Sequence, residues 1–341
     1  MNRGTAIATT AAVLGGIALA ITVAVFAAPA RSVPATRATH AGKRGAIVFE
    51  RSLNPGDDST TQLFAVSPTT GRVRQLTHFQ GGAFDPDYSP NGRQIVFDRR
   101  FQAGPDAAFT IRLDGSNPTR IPIACPGRCL GIDEPSWTHS GESIAFGRAF
   151  GPIVKDNAST LELAAAGLSG TGDRVILTFG LKVTGTEPHG AVWSPNGRML
   201  AVTIQNTTKR PVKASAIYLI STDGTIVRRL TPPKLDAGNP DWAPNGKSIA
   251  FNSFYEGQSE SELYTIRPDG TGLRRIRKEK KNNYDFDPVW SPDGARIAFV
   301  HTSKNTPPPH IWSIGSDGKA LRQETHGSQV DLSPDWGTPP A

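Results

Sequence analysis

Acidic and amide side chains recur directly before a proline and just ahead of an aromatic residue. The set is Asp85, Glu134, Glu187, Asn239 and Asp287, with Ser333 at the sixth position and His189 just beyond Glu187. Carboxylates gathered in one place repel one another unless a cation, a basic group or a shared proton intervenes. Oxygen-rich donor sets suit hard cations. If the fold brings these residues together, they form a binding site for a basic group or for Ca²⁺, which is the one cofactor considered; otherwise no cofactor is expected. The competing reading is that the side chains only cap neighbouring turns. Other chemistry is thin. Of the seven histidines, only His139, His189 and His326 lie near the recurring phrase, too sparse and irregular for a histidine-based metal centre. Gly167–Thr171 does not fit a nucleophile elbow, and Asp-Gly pairs such as Asp114-Gly115 and Asp223-Gly224 are turn residues. No catalytic residue is assigned.

The phrase that carries these positions recurs every 46–56 residues. It reads PDYSPNGRQIVF from Pro86, PSWTHSGESIAF from Pro135, AVWSPNGRMLAV from Ala191, PDWAPNGKSIAF from Pro240 and PVWSPDGARIAF from Pro288, and it breaks off after PDWG at Pro334. Its aromatic anchors are Tyr88, Trp137, Trp193, Trp242, Trp290 and Trp336. Each copy predicts a short strand ending in the aromatic, a tight turn, and a second, apolar strand rich in β-branched residues. Proline presets φ in the turn, Asn or Asp tolerates the left-handed region, and glycine occupies it without strain. A second phrase follows in most repeats, for example LFAVSPTTGRVRQLT from Leu63 and LYTIRPDGTGLRRIR from Leu263. It predicts an alternating strand, a two-residue turn and a polar outer strand. Four strands per repeat at this period predict an all-β, six-bladed β-propeller over residues 45–337. The last blade is stitched from both chain ends, with GAIVFER from Gly45 beside PDW from Pro334. The third repeat is the least regular, because residues 148–185 carry an insertion that blurs its hairpin. Inner strands line the central channel of a propeller, so the pre-proline residues are expected to ring one channel mouth.

The recurring phrase, followed by I-Y-x-I-x-x-D-G, resembles the TolB-like, WD-like propeller repeat over nearly all of residues 45–337. The resemblance implies the propeller fold and says little about chemistry, because one fold serves many functions. Full TolB proteins carry an α/β domain before the propeller, and prolyl-oligopeptidase-like enzymes carry a hydrolase domain after one. Neither is expected here, and the chain reads as a stand-alone propeller.

Residues 1–30 combine a short basic start, a long apolar stretch from Thr5 to Ala28 and the small-residue site Ala28-Pro29-Ala30. This reads as a secretory signal peptide. The stretch is also long enough to span a bilayer, so an uncleaved membrane anchor is the alternative. Residues 31–44 form a polar linker and 338–341 a tail. Either reading puts the propeller in the periplasm or outside the cell. Cys125 and Cys129, in ACPGRC, are expected to form a disulfide in that setting. The net charge is +7, densest in RRIRKEKK from Arg274 to Lys281, which reads as a solvated edge or a contact for an anionic envelope surface. Export disfavours nucleic acid as a partner. The expected function is non-catalytic binding of a protein or cell-envelope ligand by a monomer, through one face or the channel mouth. The alternative is a carbohydrate hydrolase or lyase using the channel carboxylates and His189.

Overall fold

The computed structural model describes residues 45–338, apart from 102–103, 128, 152–157, 183–190, 205–214, 233, 256–259, 281 and 305–307. The leader and linker expectations, and positions Glu187 and His189, lie outside the described residues.

Strands β1 (Ile47–Ser52), β2 (Thr61–Val66) and β3 (Val73–Gln75) form an antiparallel sheet with the last strand of the chain, β24 (Val330–Trp336). The next sheet is β4 (Ala83–Tyr88), β5 (Gln94–Arg99), β6 (Ala107–Arg112) and β7 (Thr119–Arg120). It is followed by β8 (Cys129–Trp137), β9 (Ser143–Phe150), β10 (Ala158–Gly167) and β11 (Arg174–Lys182). Then come β12 (Val192–Trp193), β13 (Met199–Ile204), β14 (Ala216–Ser221) and β15 (Ile226–Arg229). The remaining strands are β16 (Leu235–Trp242), β17 (Ile249–Tyr255), β18 (Ser261–Ile266) and β19 (Arg274–Arg277), then β20 (Asn283–Trp290), β21 (Arg296–Ser303), β22 (His310–Gly315) and β23 (Arg322–Gln323). These two antiparallel sets join into one eight-stranded sheet through a single parallel bridge, Ser261 to Tyr284.

β1 pairs antiparallel with both β24 and β2, and the Trp336 indole donates to Gly45 O at 3.1 Å. The insertion near residue 160 does not blur its hairpin. It lengthens β10 and β11, which pair along their length around the turn at Gly167–Thr171.

The apolar core lies between sheets rather than within them. The second-strand runs of the phrase point alternate residues to opposite faces. Val48 therefore packs toward Ile95 and Phe97, whereas Ile47 and Phe49 pack toward Val300 and Ile311. The same division places Val96 with Ile144 and Phe146, Ala145 with Leu200 and Val202, Ala201 with Ile249 and Phe251, and Ala250 with Ile297 and Phe299. Runs apolar on both faces are what strands buried on both faces require.

The turn residues also form seams. Gly224 has φ 87°, and a Cβ there would lie 2.1 Å from Ile176 O of the preceding sheet. Only glycine meets both demands. Outer-strand arginines cross the same seams: Arg74 to Leu113 O, Arg174 to Thr222 O, Arg228 to Asp269 O and Arg274 to Ser316 O. The basic run after Leu273 is thus partly committed. Arg274 bonds the next hairpin, Arg275 pairs with Glu262, and Arg277 pairs with Glu279 and Asp285.

Candidate functional site

Strands β4, β8, β12, β16, β20 and β24 are the first strands of the six recurring phrases. Their aromatic ends, Tyr88, Trp137, Trp193, Trp242, Trp290 and Trp336, all border one cavity of about 560 Å³. In four of the six copies the phrase puts a turn proline just beyond the aromatic, so Pro90, Pro195, Pro244 and Pro292 also border the cavity, with His139 and Arg93. In three strands the residue before the aromatic also borders the cavity and is an aspartate: Asp87, Asp241 and Asp335.

These aspartates reach across seams. Asp335 accepts from the backbone N–H of Tyr88 at 2.7 Å, Asp87 from that of Trp137 at 2.6 Å, and Asp241 from that of Trp290 at 2.6 Å. Each carboxylate therefore latches its own sheet to the next. Ser136, at the same position in β8, donates to Ala191 O at 2.8 Å. Burial raises the Asp87 carboxyl well above its usual range, and the Asp335 and Asp241 charges add to the rise. Burial pushes Asp335 up to about 6, against the Tyr88 and Trp336 amide bonds, which lower it. The cavity is thus an aromatic-walled, acidic chamber whose carboxylates are partly committed to holding the sheets together. Sequence reasoning looked one residue before the proline and passed over these residues one residue after it. The recurring Pro-Asp-aromatic triplet, at Pro86, Pro240 and Pro334, was the available signal.

The predicted pre-proline residues occupy a different place. Asp85, Glu134, Asn239, Asp287 and Ser333 all have positive φ, between 45° and 52°. In β4, β8, β16 and β20 they sit where the register with the second strand slips by one residue, as in a β-bulge. None of the five borders the aromatic-walled cavity. The structure joins two of them: Asn239 Nδ2 donates to Asp287 Oδ1. Their backbone N–H groups are received by the neighbouring sheet. Asp85 donates to Glu50 Oε1 at 2.7 Å, Asn239 to Thr203 Oγ1 at 3.2 Å and Asp287 to Asn252 Oδ1 at 3.4 Å. Glu50, Thr203 and Asn252 are the polar fourth residues of otherwise apolar second strands, a recurrence that sequence reasoning also missed.

Around Asp85 the acidic residues do converge. Burial, then the Asp85 charge, pushes Glu50 up to about 8, and the Asp85 amide and Ser333 pull the other way. Asp98 is fully buried and raised well above the usual carboxylate range by burial and then by Asp85, with Arg100 Nε 3.9 Å from its Oδ2.

One further group has metal-ligand types. Donor atoms of Glu279, Asp285 and His301 lie within 4.8 Å of one another. Arg277 already neutralises both carboxylates, at 2.6 Å from Glu279 Oε1 and 3.2 Å from Asp285 Oδ2, and His301 Nδ1 lies 2.6 Å from Asp285 Oδ1. This is a buried ion-pair network. Cys125 and Cys129 form a disulfide just ahead of and at the start of β8. Arg148 secures that loop by donating to Ala124 O at 3.1 Å while pairing with Glu162 and Asp173.

Comparison with known proteins agrees with this architecture. Residues 183–339 match the TolB beta propeller domain family. The structure of TolB from Acinetobacter baumannii superposes with a TM-score of 0.67 at 15% identity, covering 86% of this chain and 66% of that one. A nidogen/laminin complex structure superposes at 0.60 and 14% identity, covering 87% and 99%. In sequence, the uncharacterized peptidase YuxL of Bacillus subtilis is 34% identical over 121 residues, 31% of this chain and 17% of that protein. The chain spans less than half the length of the curated relatives it matches. The sheets, the seams and the repeat define an all-β propeller. Over residues 183–339 that propeller matches the TolB beta propeller domain, and its fold is similar to that of TolB structures.

Proposed function

We propose that this protein is an exported, non-catalytic six-bladed propeller that binds a protein or cell-envelope ligand at the aromatic-walled mouth of its channel. Six four-stranded units, the pairing of β24 with β1, and six inter-sheet cores support the blade count and a ring closed by both termini. The observation that carries the binding reading is the commitment of the cavity carboxylates. Asp87, Asp241 and Asp335 spend lone pairs on the backbone of the next sheet. A general acid or base needs freedom to exchange a proton with substrate, and these groups are held to the scaffold instead. An acidic cavity with aromatic walls and bordering prolines fits a ligand segment with basic and apolar groups. A propeller of similar fold in complex with a protein is consistent with this use. No helix among the described residues is long and apolar enough to cross a membrane, and the leader-like start of the chain supports export.

The test is cross-linked capture from the envelope fraction with the wild-type chain and with His139→Trp, which narrows the mouth. The expected result is one ligand retained by the wild type and lost from the variant at unchanged melting temperature. Equal capture by both chains moves the binding surface elsewhere. Turnover of an extracellular carbohydrate that is lost in His139→Trp replaces the binder with an enzyme.

A further inference from the structure

The fifth position of the second-strand run in the phrase aligns a row of basic side chains. Arg51, Arg99, Arg148 and His301 occupy the same place in β1, β5, β9 and β21. Three are paired with carboxylates inside the fold. Arg51 faces its cross-strand neighbour Asp331 with Nε 2.6 Å from Oδ1 and Nη2 2.8 Å from Oδ2. His301 faces its cross-strand neighbour Asp285 at 2.6 Å. Arg148 is paired with Glu162 at 2.9 Å and Asp173 at 2.8 Å. The fourth is not. The cross-strand neighbour of Arg99 is Ala83, and no carboxylate among the described residues pairs with Arg99.

Its surroundings are aromatic instead. The Arg99 guanidinium carbon lies 4.0 Å from the Phe79 ring centroid, 4.9 Å from that of Phe101 and 5.2 Å from that of Phe109. Nη2 donates to Gln80 O at 3.0 Å. Desolvation alone lowers its pKa, with no acidic group offsetting it. The adjacent charges are turned elsewhere: Asp98 projects to the opposite face of β5 and lies beside Arg100, and Asp106 accepts from the Phe101 amide at 3.3 Å. Phe79 is fixed from below, because Gln62 both donates to Phe79 O and accepts from Phe79 N at 3.0 Å. All three rings and Arg99 itself remain partly exposed. Its Nε is buried without a hydrogen-bond partner, and a partly desolvated guanidinium is a strong acceptor-seeking group. Rigid aromatic rings around an arginine are also the composition of binding hot spots.

We propose that Arg99, with its collar of Phe79, Phe101 and Phe109, is an anchor for an acidic side chain flanked by an apolar one on a protein partner. The partner carboxylate takes the role that Asp331 and Asp285 play in the other sheets, and its apolar neighbour covers the phenylalanine edges. This surface shares no residue with the channel mouth, so it stands or falls apart from that reading.

The probes are N-acetyl-Phe-Glu-amide and its uncharged counterpart N-acetyl-Phe-Gln-amide, titrated by NMR into the full chain. The glutamate peptide should shift the Phe79, Phe101 and Phe109 resonances, and the glutamine peptide should bind about tenfold more weakly or worse. Arg99→Gln should abolish that difference. Ala83→Asp supplies the carboxylate from within the chain and should also abolish it, even if Arg99→Gln folds poorly. Equal binding of the two peptides by the wild type overturns the proposal. So does undiminished glutamate-peptide binding in either variant. A response to polygalacturonate with none to the peptides overturns the assignment to a protein segment.

Discussion

The two residues that flank the proline of each inner strand are often acidic, and the fold uses them in opposite ways. Asp85 and Asp287 precede the proline, take left-handed backbone angles and offer their amides to the neighbouring sheet. Asp87, Asp241 and Asp335 follow it, keep extended backbone in β4, β16 and β24, and receive amides from the neighbouring sheet with their side chains. The first position makes a seam through main chain received by polar residues of the second strand. The second makes a seam through side chain, at the cavity wall. Residue type alone therefore does not say which carboxylate borders the cavity; the bulge between the two positions decides it.

The harshest test of the side-chain seam removes a whole strand end. Deleting Ser333–Ala341 takes away Asp335, Trp336 and most of β24, exposing the edge of β1 and orphaning the Tyr88 amide. The thermal midpoint should fall by far more than any point substitution achieves, and a truncated chain that melts like the full one would remove the pairing of the chain ends from the account.

Single carboxylates give the next size of effect. Asp87→Ala leaves the Trp137 amide without its acceptor and should cost about 1–3 kcal/mol by denaturant titration. Asp87→Asn, which keeps an acceptor oxygen, should cost clearly less. Equal losses from the two would show that the charge, not the latch, matters.

The pH dependence separates the two seams further. Glu50, which receives the Asp85 amide, is pushed from 4.5 up to about 8 by burial and by Asp85. Its folded value lies above its unfolded one, so the folded chain retains a proton that the unfolded chain has lost. The resulting penalty is absent below about pH 4.5 and grows until pH passes about 8. Glu50→Gln should leave stability unchanged at pH 4 and raise it by a few kcal/mol at pH 9, read as the difference in urea midpoints. Asp335, pushed up to about 6, carries the same sign over a lower window, and Asp335→Asn should flatten the stability curve between about pH 4 and 6. An unfolding midpoint for Glu50→Gln that tracks the wild type across the whole range would show that Glu50 is not titrating with folding.

The mildest change addresses the bulge itself. Glu134 holds φ 45° at the start of its bulge, a geometry glycine adopts at little cost. Glu134→Gly should alter stability by no more than about 1 kcal/mol in either direction, since relief of strain and the looser unfolded chain oppose each other. A loss as large as that of Asp87→Ala would give the two positions equal structural weight.

The recurrence of S-P-N-G and its variants, the aromatic before it and the apolar run after it was enough to read the all-β propeller class and the four-strand unit. Those features depend on local turn chemistry and on two-residue alternation, which neighbouring residues in the chain decide. Three things needed the tertiary structure. The bulge at the pre-proline residue shifts the register, so Asp87, Asp241 and Asp335 border the cavity and Asp85, Glu134, Asn239 and Asp287 do not. The pairing of each basic side chain at the fifth position of the second-strand run depends on its cross-strand neighbour: Asp331 for Arg51, Asp285 for His301, and only Ala83 for Arg99. The carboxyl groups of Glu50 and Asp98 stand high because the neighbouring sheet covers them and brings Asp85 close. Period and turn type are properties of a segment, whereas desolvation and charge pairing are properties of what folds against it.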